Sequence, residues 1–384
     1  MNSMKYEMHV PFNAPAFLGG EIDCIRQALG KGQTSGNGFF TKECEKYLEA
    51  LLGVKRAFLT TSCTHALEMC GLLLDLKQGD EFIVPSFTFV STVNAFALRG
   101  AIPIFADVRP DTLNLDEEAV ARLITPRTKA IVAVHYGGIA CEMDRLGELA
   151  RQHGIPLIED NAHGLFGKYR GQHLGTFARL ATLSFHETKN ISCGEGGALL
   201  LNDTADIERA EILREKGTNR SKFFRGQVDK YTWVDLGSSY VMSDILAAYL
   251  SVQLNAQDRI QARRRAIWHL YRDRLQKWAT QQGIQLPHVP PECEQAYHLF
   301  YLILPTLESR TALIAHLREH QINAVFHYQA LNASPMGLQL GGQPGACPIT
   351  ERLSDCLLRL PFYYDLDETM QHQVIDCVLE FQIG

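Results

Sequence analysis

The chain has 384 residues, of which 46% are hydrophobic and 21% charged, and its net charge is −6. This balance excludes a disordered, collagen-like or coiled-coil chain and suits two or three globular domains whose core needs no disulfide or structural metal. The acidic excess argues against nucleic acid as a partner, since such binding requires a basic surface that displaces counterions, but leaves room for a small anionic substrate held by a few local cations.

From about residue 55 to 202, short apolar runs alternate with helical patterns. Seven runs read as strands: Ala57–Thr60, Glu81–Val84, Ile102–Phe105, Ala130–Val134, Pro156–Glu159, Thr182–Phe185 and Ala198–Leu201. Several are apolar throughout, as strands covered on both faces are. Helical patterns over Thr64–Leu74, Ser91–Leu98 and Asp144–His153 separate them. The alternation predicts an α/β domain built on a mainly parallel sheet. Near residue 243 the texture changes. One long helix is expected from Ser243-Asp244 to about Lys277. Short strands over Leu299–Leu304 and Ala324–Tyr328 then mix with helices over Arg310–His320, Ile349–Leu358 and Leu366–Phe381. The expected division is a large α/β domain over 1–250 and a smaller α+β domain over 251–384.

The ten cysteines include no Cys-x-x-Cys pair, so they read as reduced, buried small hydrophobes, with no metal site expected. The opening Met1-Asn2-Ser3-Met4-Lys5-Tyr6-Glu7 has no apolar core of a signal peptide. No apolar run approaches the roughly 18 residues of a membrane span. A cytoplasmic location is expected.

Three segments carry candidate chemistry. In Ser184-Phe185-His186-Glu187-Thr188-Lys189, followed by Gly194-Glu195-Gly196-Gly197, a lysine stands just past a buried strand. Ligands collect at that edge of an α/β sheet, and a lysine there can act as a nucleophilic or Schiff-base amine. In Ile158-Glu159-Asp160-Asn161-Ala162-His163, two acids end an apolar strand. Such an acid suits a ribose hydroxyl, a metal, a protonated ring nitrogen or a helix N-cap. In Thr60-Thr61-Ser62-Cys63-Thr64-His65, hydroxyls lie between a strand and a helix, the setting of an N-cap or a phosphate site. No dinucleotide fingerprint or Walker lysine is present. A phosphate cradle, an acid for a ring nitrogen and a reactive lysine together are what pyridoxal phosphate requires.

From Pro11-Phe12-Asn13-Ala14-Pro15 to Pro361-Phe362-Tyr363 the chain resembles the sugar-nucleotide aminotransferases related to DegT, DnrJ, EryC and StrS. The resemblance is densest in Val134-His135-Tyr136-Gly137-Gly138, Cys141-Glu142-Met143-Asp144 and the run from Arg214 to Trp233. It implies the fold-type-I pyridoxal-phosphate architecture, with a seven-stranded sheet, and a homodimer with shared active sites. It also implies amino transfer from L-glutamate to C4 of a dTDP-linked 4-keto-6-deoxyhexose, with pyridoxamine phosphate between the half-reactions. By the same resemblance Lys189 carries the cofactor and moves protons, and Asp160 pairs with its ring nitrogen. His163 lies near its phenolic oxygen and Phe89 stacks on its ring. Cys63, Thr64 and Ser184 hold its phosphate, and Ser239 takes the place of an Asn that reaches the phosphate of a neighbouring subunit. Arg220, Lys222, Arg225, Lys230 and Tyr231 are expected to hold the nucleotide diphosphate, and His327 and Tyr328 the substrate. Sugar dehydratases on this scaffold carry His where Lys189 stands, a non-enzymatic relative would have lost Lys189, Asp160 or Ser184, and a nicotinamide oxidoreductase would carry the missing fingerprint.

Overall fold

The computed structural model describes residues 9–383. Strands β1 (Arg56–Thr60), β2 (Glu81–Pro85), β3 (Ile102–Ala106), β4 (Thr128–Val134), β5 (Leu157–Asp160), β6 (Leu180–Ser184) and β7 (Gly197–Leu201) form one sheet, ordered β1-β7-β6-β5-β4-β2-β3. All pairings from β6 through β3 are parallel, and β7 alone runs antiparallel to both its neighbours. The seven strands read from the sequence are all present, with ends displaced by no more than two residues.

Their uniform apolarity follows from what covers them. Successive side chains on a strand point to opposite faces. Phe58, Val84, Val132, Ile158 and Leu199 pack with the helix Cys63–Leu73 and with Val93 and Phe96. Their neighbours Leu59, Leu183 and Leu200 pack against the helices Phe39–Leu52 and Asp244–Asn255, and Ile83, Ile131 and Leu157 against Met143–His153. Both faces are dry, so neither needs polar alternation.

The C-terminal part differs from expectation in two places. The single long helix is two, Asp244–Asn255 and Gln257–Gln282, broken where Ala256 leaves helical geometry at φ −100°, ψ 13°. The helix expected over Ile349–Leu358 ends at Cys356, and Leu357–Arg359 is a strand, β10. It is the middle of a three-stranded antiparallel sheet between β8 (Tyr301–Ile303) and β9 (Val325–Phe326). Leu353, Cys356 and Leu357 keep helical spacing, so the local pattern favoured a helix, but pairing on both sides overrides it. The C-terminal core gathers Trp268, Tyr271, Phe300, Leu313, Leu358 and Val374 and also takes in Val10. All ten cysteines are free thiols.

Candidate active site

The carboxyl ends of β1, β5 and β6 open onto a cavity of about 580 Å³, the edge at which ligands sit in open α/β sheets. Its floor is set by register. Gly197 of β7 pairs with Thr60 of β1 on one side and Ser184 of β6 on the other. A Cβ on Gly197 would lie 2.4 Å from the Cys63 amide nitrogen and the Ser62 carbonyl carbon. Only glycine lets the turn after β1 settle this close to the sheet. Ser62 caps the next helix by accepting the His65 N–H at 3.1 Å. The remaining amides of the first turn, with the Thr64 and Ser91 hydroxyls 2.8 Å apart, face the cavity as an anion cradle.

Asp160 ends β5 at the cavity floor. Its Oδ2 accepts from the Thr92 hydroxyl at 2.7 Å and its Oδ1 from the Ala162 N–H at 3.2 Å. Burial raises its pKa, and these two hydrogen bonds and the charge of Lys189 oppose the rise. No helix follows Asp160, so it is not a helix N-cap. Behind it, the next layer is a buried pair, His135 Nε2 with Glu159 Oε2 at 3.0 Å.

Lys189 sits in the loop between β6 and β7, which the sheet closes through Phe185 N–H to Gly196 O at 2.8 Å and Glu187 N–H to Gly194 O at 2.9 Å. Its neighbour Asn190 ties the loop to the C-terminal part, donating to Ala296 O at 2.6 Å and bonding His298 Nδ1 at 2.9 Å. Loss of hydration pulls the Lys189 amine down to about 8, against the pull of Cys63 and Asp160 and with help from the positive charge of Arg359. A depressed lysine beside a buried acid in a cleft marks a functional site.

The opposite wall is aromatic. His163 stacks on His298 with ring centroids 4.1 Å apart, and Tyr136 OH meets His327 Nδ1 at 2.9 Å. Burial drives His163, His298 and His327 well below the usual histidine range, so the wall is neutral. Tyr328 OH reaches 3.5 Å from His163 Nε2. Phe89 lines the mouth and is half exposed.

The DegT/DnrJ/EryC1/StrS aminotransferase family matches residues 19–379. The chain belongs to this family. Among solved structures, the aminotransferase TlmJ of Streptoalloteichus hindustanus is 30% identical, with a TM-score of 0.88 over 96% of this chain and 97% of that one. DesV of S. venezuelae, solved with a ketimine intermediate, is also 30% identical, with a TM-score of 0.88 over 97% and 98%. Spr1654 of Streptococcus pneumoniae, provisionally named a sugar aminotransferase, is 26% identical and has been solved in pyridoxamine phosphate and pyridoxal phosphate forms. Its pyridoxamine phosphate form has a TM-score of 0.89 over 96% of this chain and 98% of that one. Pyridoxal phosphate is the cofactor of the family, and this aminotransferase has the residues to hold it: a buried acid, a buried amine and a helix-end cradle converge on one cavity.

Of the residues singled out from the sequence, Cys63, Thr64, Phe89, Asp160, His163, Ser184, Lys189, His327 and Tyr328 line this cavity. Ser239, Arg220, Arg225, Lys230 and Tyr231 lie outside it in the single chain. Several of these cations already have partners: Arg225 grips Glu211 through both arms at 2.7 and 2.8 Å, Lys222 meets Glu208 at 2.6 Å, and Arg220 meets Glu215 at 3.5 Å. Lys230 has no ion pair among the described residues. Phe224, Tyr231 and Trp233 are exposed.

Sequence reasoning missed Thr92, His298 and Arg359. Thr92 and His298 sit in helix-like and apolar contexts that give no signal. Arg359 did give one: a lone cation inside Leu357-Leu358-Arg359-Leu360-Pro361.

Proposed function

We propose that the chain is a sugar-nucleotide aminotransferase that moves the amino group of L-glutamate to C4 of a dTDP-linked 4-keto-6-deoxyhexose. The product is dTDP-4-amino-4,6-dideoxygalactose, a precursor for cell-surface polysaccharide. The observation that carries the amino-transfer reading is the depressed Lys189 amine in the same cavity as the buried, doubly hydrogen-bonded Asp160. The choice of sugar rests on the dense resemblance of the run from Arg214 to Trp233 to dTDP-4-amino-4,6-dideoxygalactose transaminase.

Pyridoxal phosphate, when bound, supplies an electron sink and carries the amino group between the two half-reactions. In this reading Asp160 holds the proton on the ring nitrogen, and Thr92 and the Ala162 amide keep the carboxylate aimed. Lys189 would hold the group through its amine and, when free, would move a proton as base and acid by turns. Ser184 and the amides of Cys63 and Thr64 hold the phosphate, with Ser239 from a neighbouring copy. His163, neutral, is a hydrogen-bonding rather than a charged neighbour of the phenolic oxygen. Phe89 covers the ring, and His327 and Tyr328 contact the sugar.

The chain divides, in this reading, into a cofactor-binding part over 1–250 and a smaller part over 251–384. The exposed aromatic and basic arm from Gly217 to Trp233 serves the nucleotide diphosphate at a site shared in a homodimer. Apolar side chains left bare on one chain, Phe224 at 68% and Trp233 at 73% exposure, support a partner surface.

The test is direct. The loaded protein is incubated with glutamate and the dTDP- and UDP-linked 4-keto-6-deoxy sugars, and the product is assigned by NMR. An axial C4 amine on the dTDP sugar is expected. An equatorial amine, a 3-amino sugar or a dehydrated product replaces the proposed reaction with a neighbouring one.

A further inference from the structure

Away from the active cavity, two helices of the C-terminal part end at the same place. The helix Leu307–Glu319 carries His316 in its last turn and is capped by His320. The helix Glu368–Glu380 carries Cys377 in its last turn, and Cys377 belongs to the C-terminal core. One ligand atom from each of His316, His320 and Cys377 lies within 4.8 Å of the other two. Among the described residues this is the one group of three histidine, cysteine or acidic side chains placed to share a metal ion. None of the three lines the active cavity. The sequence shows only two histidines one helical turn apart, and the thiol that completes the group comes from another helix.

The hydrogen bonds around the group leave the lone pairs a metal needs. His316 Nε2 lies 3.0 Å from the Cys377 carbonyl oxygen, and His320 Nδ1 lies 2.8 Å from the His316 carbonyl oxygen. A carbonyl only accepts, so these two nitrogens carry the ring protons. The other nitrogen of each imidazole is then unprotonated and free to bind a cation, which is how metal-binding histidines are commonly held. The two rings already stand together, with centroids 4.6 Å apart. The field has the right sign as well. Each helix presents its C-terminus here, the negative end of its dipole, so a cation is favoured by both.

We propose that His316, His320 and Cys377 form a zinc site that clasps the ends of these two helices together. Two imidazoles and a thiolate are donors that suit zinc, whereas magnesium and calcium take oxygen ligands. Zinc bonds of about 2.0–2.3 Å in a tetrahedron set ligand atoms roughly 3.3–3.8 Å apart, so side-chain rotation of at most about 1.5 Å closes the site. His320 is exposed and has the freedom to make that move. Water takes the fourth position. Burial, with the charge of Glu380 adding to it, raises the Cys377 thiol to about 11. Near neutral pH the S–H bond therefore breaks as the S–Zn bond forms; the proton passes to solvent and no electron is transferred. The site is independent of the aminotransferase reading.

The experiment uses the full-length, cofactor-loaded protein after treatment with a chelator. Zinc chloride is titrated calorimetrically, and cobalt chloride is titrated while absorbance is read to the red of the cofactor band. One zinc per chain is expected, with the visible bands of tetrahedral cobalt. His316→Ala, His320→Ala and Cys377→Ser should each weaken zinc by at least roughly 10- to 100-fold, the scale on which even the outer partners of a metal act. His372→Ala, on the same helix as Cys377 but outside the group, should bind zinc as the wild type does. Zinc should raise the thermal midpoint of the wild type and leave that of His320→Ala in place. Because His320 is exposed, its variant tests the site without disturbing the core. A wild type that binds no zinc, unchanged affinity in His320→Ala, or octahedral cobalt bands would each overturn the proposal.

Discussion

The hydroxyl of Thr92 donates to Oδ2 of Asp160 at 2.7 Å, joining the helix Val90–Ala97 to the end of β5. The acid is therefore aimed by an element that the sheet positions independently. Thr92→Val keeps the shape and removes the donor. Cofactor affinity should fall roughly tenfold, the scale of a hydrogen bond to a charged group, as read by titrating cofactor-free protein. Asp160→Asn should retain some cofactor and lose most activity. Turnover within twofold of the parent in Asp160→Asn would leave the carboxylate a structural role alone.

Lys189→Ala should fold, bind no cofactor that borohydride can fix, and catalyse no transamination. A borohydride-fixed band with normal turnover in this variant would assign the amine elsewhere.

The amine also leaves a signature in stability. In the folded, cofactor-free protein it titrates at about 8, below its ordinary 10.5. Between those values the unfolded chain binds a proton that the folded chain does not, so stability rises with pH across that window. Below it both states are protonated, and the full cost of burying the charge is present. Lys189→Met should be more stable than wild type at pH 7, with the difference closing as pH passes from 8 to 10.5. Denaturant melts of both proteins across that range check the sign; a constant difference would show that the amine is not buried as a charge.

Gly197→Ala should cost about 1–3 kcal/mol through overpacking against the Ser62–Cys63 backbone, and should weaken the cofactor. Gly194→Ala, with open space around its Cβ but φ at +86°, should cost only about 1 kcal/mol and spare the cofactor. Thermal melts with and without cofactor distinguish the two.

Replacing Arg220 and Lys230 together by alanine should raise KM for the sugar nucleotide and spare the glutamate half-reaction. Mixing subunits of this double variant with Lys189→Ala subunits should restore activity above either parent, because a shared site then assembles one intact copy. Strict additivity of the two parents would show sites built from single chains.

The large sheet was legible because its strands are apolar on both sides, Asp160 because it ends such a strand with a charge, and Lys189 because it follows one closely, ahead of Gly194-Glu195-Gly196-Gly197. β10 was hidden for the opposite reason. Leu353, Cys356 and Leu357 fit a helical face, and only the distant partners Tyr301 and Val325 decide otherwise. With the strand misread, Arg359 could not be placed. Thr92 and His298 were invisible because a threonine in a helix and a histidine in an apolar run acquire meaning only through what folds against them. The ion pairs of Arg225 and Lys222 belong to the same class: Glu211 and Glu208 lie at least 14 residues away, on another helix.

Val10 forms a parallel bridge with Ile322, and two residues on Phe12 accepts a backbone hydrogen bond from Phe362 at 3.2 Å before the chain goes on to the large sheet. The segment ahead of the large sheet is thus stitched into the C-terminal core. On a ribosome, the segment around Val10 would wait, already made, for the C-terminal core to emerge, while a fragment expressed from residue 251 onward would lack one of its own walls. Joining the segment from His9 to Pro15 to that fragment by a short linker would supply the missing edge in cis, turning a closure between distant parts of the chain into a local one.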